Sequence, residues 1–226
     1  MIRVHYEKEL QRVQDELILM GSMVTQALHD SVDILKRQDL EAAEKLVAAD
    51  AEINRRRFKI EDDALTLIAT QGPMARDMRF LAAVLDLSSE LERIGDYAKG
   101  IGRITIYLGK DPVVKPLIHI PEMSVVVVEM LRLALDAFIN LDVTAARQIP
   151  QKDDAVDELY NTVNRELLQL IIANPSIVDR ANYYSWAAHN LERAADRVVN
   201  ICERIVYTAT GEFVELDQDE SVIDFA

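Results

Sequence analysis

The sequence predicts an all-α protein of two tandem antiparallel three-helix bundles, six long helices related by an internal repeat. Three observations lead there. Apolar residues recur every three or four positions, as in Leu10, Val13, Leu17, Met20, Val24 and Leu28, which is the spacing of one helix face. Leu, Ala, Glu, Arg and Asp dominate, while 7 Gly and 6 Pro in 226 residues leave little to interrupt helices. The chain also resembles itself. At an offset of 103 residues Met20 falls on Met123, Val24 on Val127, Leu28 on Leu131, Asp50 on Asp153 and Ile53 on Val156. Beyond the turns at "QGP" (71–73) and "NP" (174–175) the offset becomes 100, and Leu91, Glu92, Arg93 and Asp96 fall on Leu191, Glu192, Arg193 and Asp196. Register kept across several helices marks a duplication of about 100 residues.

Each element follows from this frame. The first half reads as helices over 6–37, 40–70 and 74–108, the last with an apolar series Leu87, Leu91, Ile94, Ala98 and Ile101. Gly95, Gly100 and Gly102 inside that series suit close helix packing. The stretch "LGKDPVVKPLIHIP" holds three prolines and predicts a linker over 111–121 between a first bundle (1–110) and a second (122–210). The second half reads as helices over 122–140, 142–173 and 176–209, and Pro150 is expected to kink or offset the fifth. Residues 211–226 are acidic, begin with a glycine and are expected to fray.

Composition narrows the function. The formal net charge of −14 argues against nucleic acid as a partner and suits cations or basic protein surfaces. The single cysteine, Cys202, forbids an internal disulfide, fits a reducing compartment, and follows Ile201 as a buried inert thiol would. The N-terminal residues lack an apolar signal-peptide core, and the most apolar run (123–138) carries Glu129, Arg132 and Asp136, so no membrane span is expected. The expectation is a cytoplasmic protein. His5, His29, His119 and His189 are scattered, and no phosphate-cradling glycine loop or nucleophile elbow occurs. Nothing in the sequence marks an active site, and no enzymatic activity is expected.

What remains is a charged cluster present twice. Glu92 and Asp96 lie one helical turn apart, as do Glu192 and Asp196, on a face turned away from the apolar stripe. The second helix of each half adds Asp50 with Asn54, or Asp153 with Asp157. Carboxylates converging in one groove repel, by about 4 kcal/mol for two charges ~4 Å apart at an effective dielectric of ~20. A hard cation would relieve this, and oxygen donors suit Mg²⁺, Ca²⁺, Mn²⁺ or iron. A solvated acidic face with local ion pairs explains the same spacing, as does a metal-storage or metal-dependent helical protein.

The segments "LERIGDYAKGI" and "LERAADRVVNI", with "HYEKELQRVQDELILMGSMV", "DLEAAEKLVAADAEIN" and "GPMARDMRF", resemble the PhoU family of phosphate-signalling regulators over nearly the whole chain. The resemblance implies a cytoplasmic protein, often homodimeric, that reaches the membrane only through partners. Those partners would be the phosphate-specific ABC transporter and its sensor histidine kinase, with the starvation response held off when phosphate is plentiful. It also implies surface metal sites on Glu/Asp-x-x-x-Asp motifs, occupied by divalent or trivalent ions. Multinuclear iron is one occupant; Mg, Mn, Ca or Zn are others. Carried over by position, the metal candidates are Asp50, Asn54, Glu92 and Asp96 in one half and Asp153, Asp157, Glu192 and Asp196 in the other. Arg79, Arg93 and Arg193 are expected as partners of these carboxylates. Asn54 leaves the first cluster one carboxylate short of the family pattern.

Overall fold

The computed structural model describes residues 2–110 and 117–216, which are helical almost throughout. The elements are α1 (Ile2–Arg37), α2 (Leu40–Gln71), α3 (Ala75–Leu108), α4 (His119–Asn140), α5 (Val143–Gln148), α6 (Asp153–Ala173) and α7 (Val178–Thr210). A 3-10 turn, Ile149–Lys152, separates α5 from α6, and another, Pro175–Ile177, leads into α7. Pro150 thus divides the expected fifth helix, since its ring has no N–H to continue the helical ladder.

The duplication is visible in the turns. Asp39 caps α2 by accepting from Ala42 N at 3.0 Å, and Asp142 caps α5 by accepting from Ala145 N at 3.0 Å. The residues before these caps, Gln38 (φ 52) and Leu141 (φ 50), both adopt the left-handed conformation that ends the preceding helix. Two side chains held there at matching positions are the mark of one ancestral turn copied twice.

Helices α1–α3 pack as one bundle and α4–α7 as the other, and α3 meets α7 antiparallel along its length. Tyr107 stacks on Tyr183, Asn200 donates to Glu90, Arg204 pairs with Asp86 and Arg79 donates to Thr208 O. The partners' numbers rise in one helix as they fall in the other, centring the seam near Gly95 and Ala195. Gly100 lies against Asn190 at this seam, and a Cβ there would stand 2.9 Å from Asn190 Nδ2 and make that side chain shift. The apolar stripes of both halves merge into one core, with Phe80 of α3 stacked on Phe138 of α4 at 5.6 Å.

Two expectations are corrected. The fourth helix begins at His119 rather than 122, because Pro121 falls in its first turn, where a missing N–H costs no intrahelical bond. The described part of the C-terminal segment does not fray. Phe213 stacks on Tyr207 at 4.2 Å, and Leu216 N donates to Glu203 Oε1 at 2.9 Å, folding residues 211–216 back along α7. Residues 111–116 of the expected linker and 217–226 of the acidic tail lie outside the described residues. Cys202 is fully buried, and burial pushes its thiol up to about 12.

Candidate functional site

The middle of α3 carries Glu92 and Asp96, and α2 brings Asp50 and Asn54 against them. Asp50 is buried, as are Ala43 and Ile53 of the same helix. Its Oδ2 accepts from Asn54 Nδ2 at 2.9 Å and from Lys99 Nζ at 2.6 Å. Lys99 reaches Asp96 Oδ1 at 3.2 Å as well. A lysine ammonium therefore stands between the two aspartates where a cation was expected. Glu92, half-buried beside them, has its carboxyl pKa raised, first by burial and then by Asp96, with Arg57 and Arg93 opposing.

The second cluster is built the same way with different charges. Glu192 and Asp196 lie on α7, and Asp153 and Asp157 begin α6. Lys99 is matched by Val199, which is buried, so no lysine enters. Burial pushes the Glu192 carboxyl up to about 7, with Asp196 and Asp157 adding to the rise and Arg193 opposing it. Arg193 donates to Asp196 Oδ2 at 2.9 Å and is held protonated most strongly by a hydrogen bond to Tyr97 of α3. Glu192 Oε2 is buried without a hydrogen bond; His189 Nδ1 lies 3.2 Å away but is poorly aligned.

The predicted arginines divide three ways. Arg193 pairs with Asp196 as expected. Arg93 is exposed and acts on Glu92 only as a nearby charge. Arg79 is not a partner of either cluster: its Nε donates to Thr208 O at 3.4 Å and its guanidinium lies against Gly211, at the C-terminal end of α7. Thirteen residues along α3 separate it from Glu92, about 20 Å at ~1.5 Å per residue. Sequence reasoning missed Lys99 and Tyr97. Lys99 was open to detection, since it lies three residues after Asp96 and has no lysine counterpart in the repeat. Tyr97 depends on the α3–α7 register, which no local pattern encodes.

The two clusters differ in their fitness for a metal. The first fits one poorly, because the Lys99 ammonium already occupies Asp50 Oδ2 and Asp96 Oδ1 and a metal there would have to displace it. The second suits a hard cation by the chemistry of its donors, which are carboxylate oxygens with no lysine among them; the Glu192 carboxyl is raised first by burial and then by Asp196 and Asp157. Among the described residues no three His, Cys, Asp or Glu side chains are gathered closely enough to hold a metal. Nor is any described helix long and apolar enough to cross a membrane. Of the aromatic residues near the start of α7, Tyr184 is a core residue while Trp186 is exposed and meets Tyr183 edge-on.

Comparison with known proteins agrees with this architecture. The family described as PhoU domain matches residues 17–105 and 120–205, one match in each half. The chain is 34% identical over 208 residues to a phosphate-specific transport system accessory protein PhoU homolog of Aquifex aeolicus, covering 92% of this chain and 94% of that one. It is 31% identical over 218 residues to the homolog from Clostridium acetobutylicum, covering 96% and 100%. The crystal structure of the phosphate transport system regulatory protein PhoU from Streptococcus pneumoniae superposes with a TM-score of 0.86 at 30% identity, covering 92% of this chain and 99% of that one. That of PhoU from Pseudomonas aeruginosa gives 0.87 at 30% identity, covering 92% and 100%.

Proposed function

The chain belongs to the PhoU family, and on that premise we propose that it is a phosphate-transport accessory protein that restrains phosphate uptake and phosphate-starvation signalling. The observation that carries this reading is the end-to-end agreement with accessory proteins of the phosphate-specific transport system, across both repeats. Its partners are the phosphate-specific ABC transporter and its sensor histidine kinase, met in the cytoplasm, and it self-associates as a homodimer. It acts by docking rather than by catalysis. The long helical surfaces, strongly acidic overall, hold those partners in an inhibitory arrangement while phosphate is plentiful. Deletion of the protein in its host tests this. A starvation-gene reporter is expected to become active in high phosphate; repression left intact would falsify the reading.

A second reading is favoured by the raised Glu192 carboxyl in a cluster without a lysine. Asp153, Asp157, Glu192 and Asp196 would together hold a hard cation, iron among the candidates, as an adjunct to regulation or as a metal-storage function. A bound cation supplies charge neutralisation there. The chain's own part is to keep the four carboxyl groups on two facing helices, with Arg193 and Tyr97 fixing Asp196. Elemental analysis of protein purified without chelator is expected to find metal that Glu192→Ala/Asp196→Ala loses and Glu92→Ala/Asp96→Ala keeps. Protein free of metal, or metal retained by the first double variant, removes this reading.

A further inference from the structure

The α3–α7 seam has two ends, and the repeat makes them directly comparable. At one end Tyr207 is covered by the chain's own C-terminal segment, with Phe213 stacked on it at 4.2 Å. The matching Tyr107, at the other end, is 65% exposed. It stacks on Tyr183 at 5.8 Å, and Trp186, 57% exposed, meets Tyr183 edge-on at 5.6 Å. The fold does not call for these rings, because the positions matching Tyr183 and Trp186 in the first half are Ala83 and Asp86.

More apolar surface lies beside them. Ser185 pairs with Asn164 at 2.6 Å and His189 meets the Tyr160 ring at 6.0 Å, which sets α6 antiparallel to α7. That register brings Leu168 and Ile172, one turn apart and both exposed, to the start of α7, where Val178 is exposed as well. Two exposed cations accompany this surface: Arg103, one turn before Tyr107, and Arg165, three residues before Leu168 on the same stripe of α6. Neither forms an ion pair or a hydrogen bond among the described residues. Lys110 lies just beyond Tyr107, and Asp179 opposes these charges from the first turn of α7. The repeat again supplies the contrast: the residues matching Arg103 and Arg165 are Glu203 and Asp62. One copy of this end is therefore aromatic and basic where the other is acidic.

We infer that the end formed by Tyr107, Trp186, Leu168 and Ile172 docks directly on an anionic lipid surface, with Arg103 and Arg165 meeting lipid phosphates. Trp and Tyr rings settle at the boundary between headgroups and acyl chains, and exposed apolar side chains flanked by cations bind anionic bilayers. A bilayer meets three helix ends at once without a matching shape, whereas a protein partner would have to supply acids opposite both arginines. The formal charge of −14 does not oppose this contact, because charges beyond a screening length of ~8 Å are largely hidden at physiological ionic strength. At ~1.5 Å per residue, Glu92 lies about 22 Å along α3 from Tyr107, and the second acidic cluster begins about 9 Å along α7 from Trp186. The contact is with lipid itself and does not pass through transporter or kinase, so it stands or falls apart from the docking reading.

Trp186 is the chain's single tryptophan, so its own fluorescence reports the contact. The full chain is titrated with vesicles of phosphatidylglycerol and phosphatidylcholine in equal parts, with phosphatidylcholine alone as comparator, and cosedimentation measures binding of the variants. The expected result is a blue shift of Trp186 emission and saturable binding to the mixed vesicles, at least tenfold weaker on phosphatidylcholine alone. Trp186→Asp and Arg103→Glu each copy the other half, and each is expected to weaken cosedimentation at least tenfold. Leu65→Asp, at the site matching Leu168, is expected to leave it unchanged. Circular dichroism shows whether each variant folds; if Trp186→Asp does not, Arg103→Glu decides. No blue shift, equal binding to phosphatidylcholine alone, or unchanged binding in Arg103→Glu overturns the assignment. So does a dimer that forms without lipid, is lost in Trp186→Asp and excludes vesicles, which would give this surface to a second copy of the chain.

Discussion

Two residues show how charge is balanced differently in the halves. Lys99 is the cation of the first cluster, bonded to a buried aspartate at 2.6 Å. Lys99→Met strands Asp50 in the interior, with an expected loss of about 2–4 kcal/mol in urea unfolding. A loss below about 0.5 kcal/mol would mean that water replaces the lysine. Glu192 has the opposite problem. Its folded pKa of about 7 lies above the ordinary glutamate value of 4.5, so the folded state favours the protonated carboxyl. The stability this confers is fully present below pH ~4.5 and is lost as pH rises through about 7. Glu192→Gln is expected to be more stable than the parent above pH 7, by on the order of 1–2 kcal/mol. Its stability should also stay flat across that window where the parent's falls. Parallel pH profiles for the two proteins would contradict the assignment. Of the site residues, the carboxylates were legible in the sequence because an i, i+4 spacing fixes them on one face. Their charge state was not, because it depends on which side chain from another helix, or later in the same one, reaches them.

At the scale of elements, helix identity was written in the 3.6-residue periodicity and most ends in their punctuation. Asp39, Gly72 and Gly211 stop or start helices where the sequence places them. The misreadings are instructive because each involves a residue whose effect depends on context. Pro121 reads as a breaker but is harmless in a first turn, and the glycine at 211 reads as the start of a frayed end although Phe213 and Leu216 lie beyond it to dock. The left-handed turns at Gln38 and Leu141 carry no glycine signal at all. An L side chain in this conformation costs ~1–2 kcal/mol, partly offset by the greater unfolded-state freedom of glycine. Gln38→Gly is therefore expected to raise stability by about 0.5–1 kcal/mol in thermal or denaturant melts. A destabilised variant would show that the Gln38 side chain contributes more than the turn costs.

At the scale of the whole molecule, the repeat was legible and the seam was not. The matching of Glu92 with Glu192 shows that two similar bundles exist, but tandem bundles could sit as separate beads. The antiparallel pairing of α3 with α7 is made by aromatic and polar partners a hundred residues apart, a long-range match that periodicity cannot reveal. Because that seam feeds one common core, the halves are expected to depend on each other. A chain expressed as two fragments, 1–110 and 117–226, should reassemble when coexpressed and copurify as one particle, while either fragment alone exposes its apolar seam and aggregates. Two fragments each monomeric and cooperatively folded in isolation would contradict this. The seam also has the form of a twofold subunit contact, the same surface meeting itself in antiparallel orientation. In a true dimer of one bundle, every substitution appears on both sides at once. Joining the two copies in one polypeptide removes that constraint, so one side can carry Lys99 while the other carries Val199. Covalent linkage leaves two copies of one bundle free to differ across the interface they share.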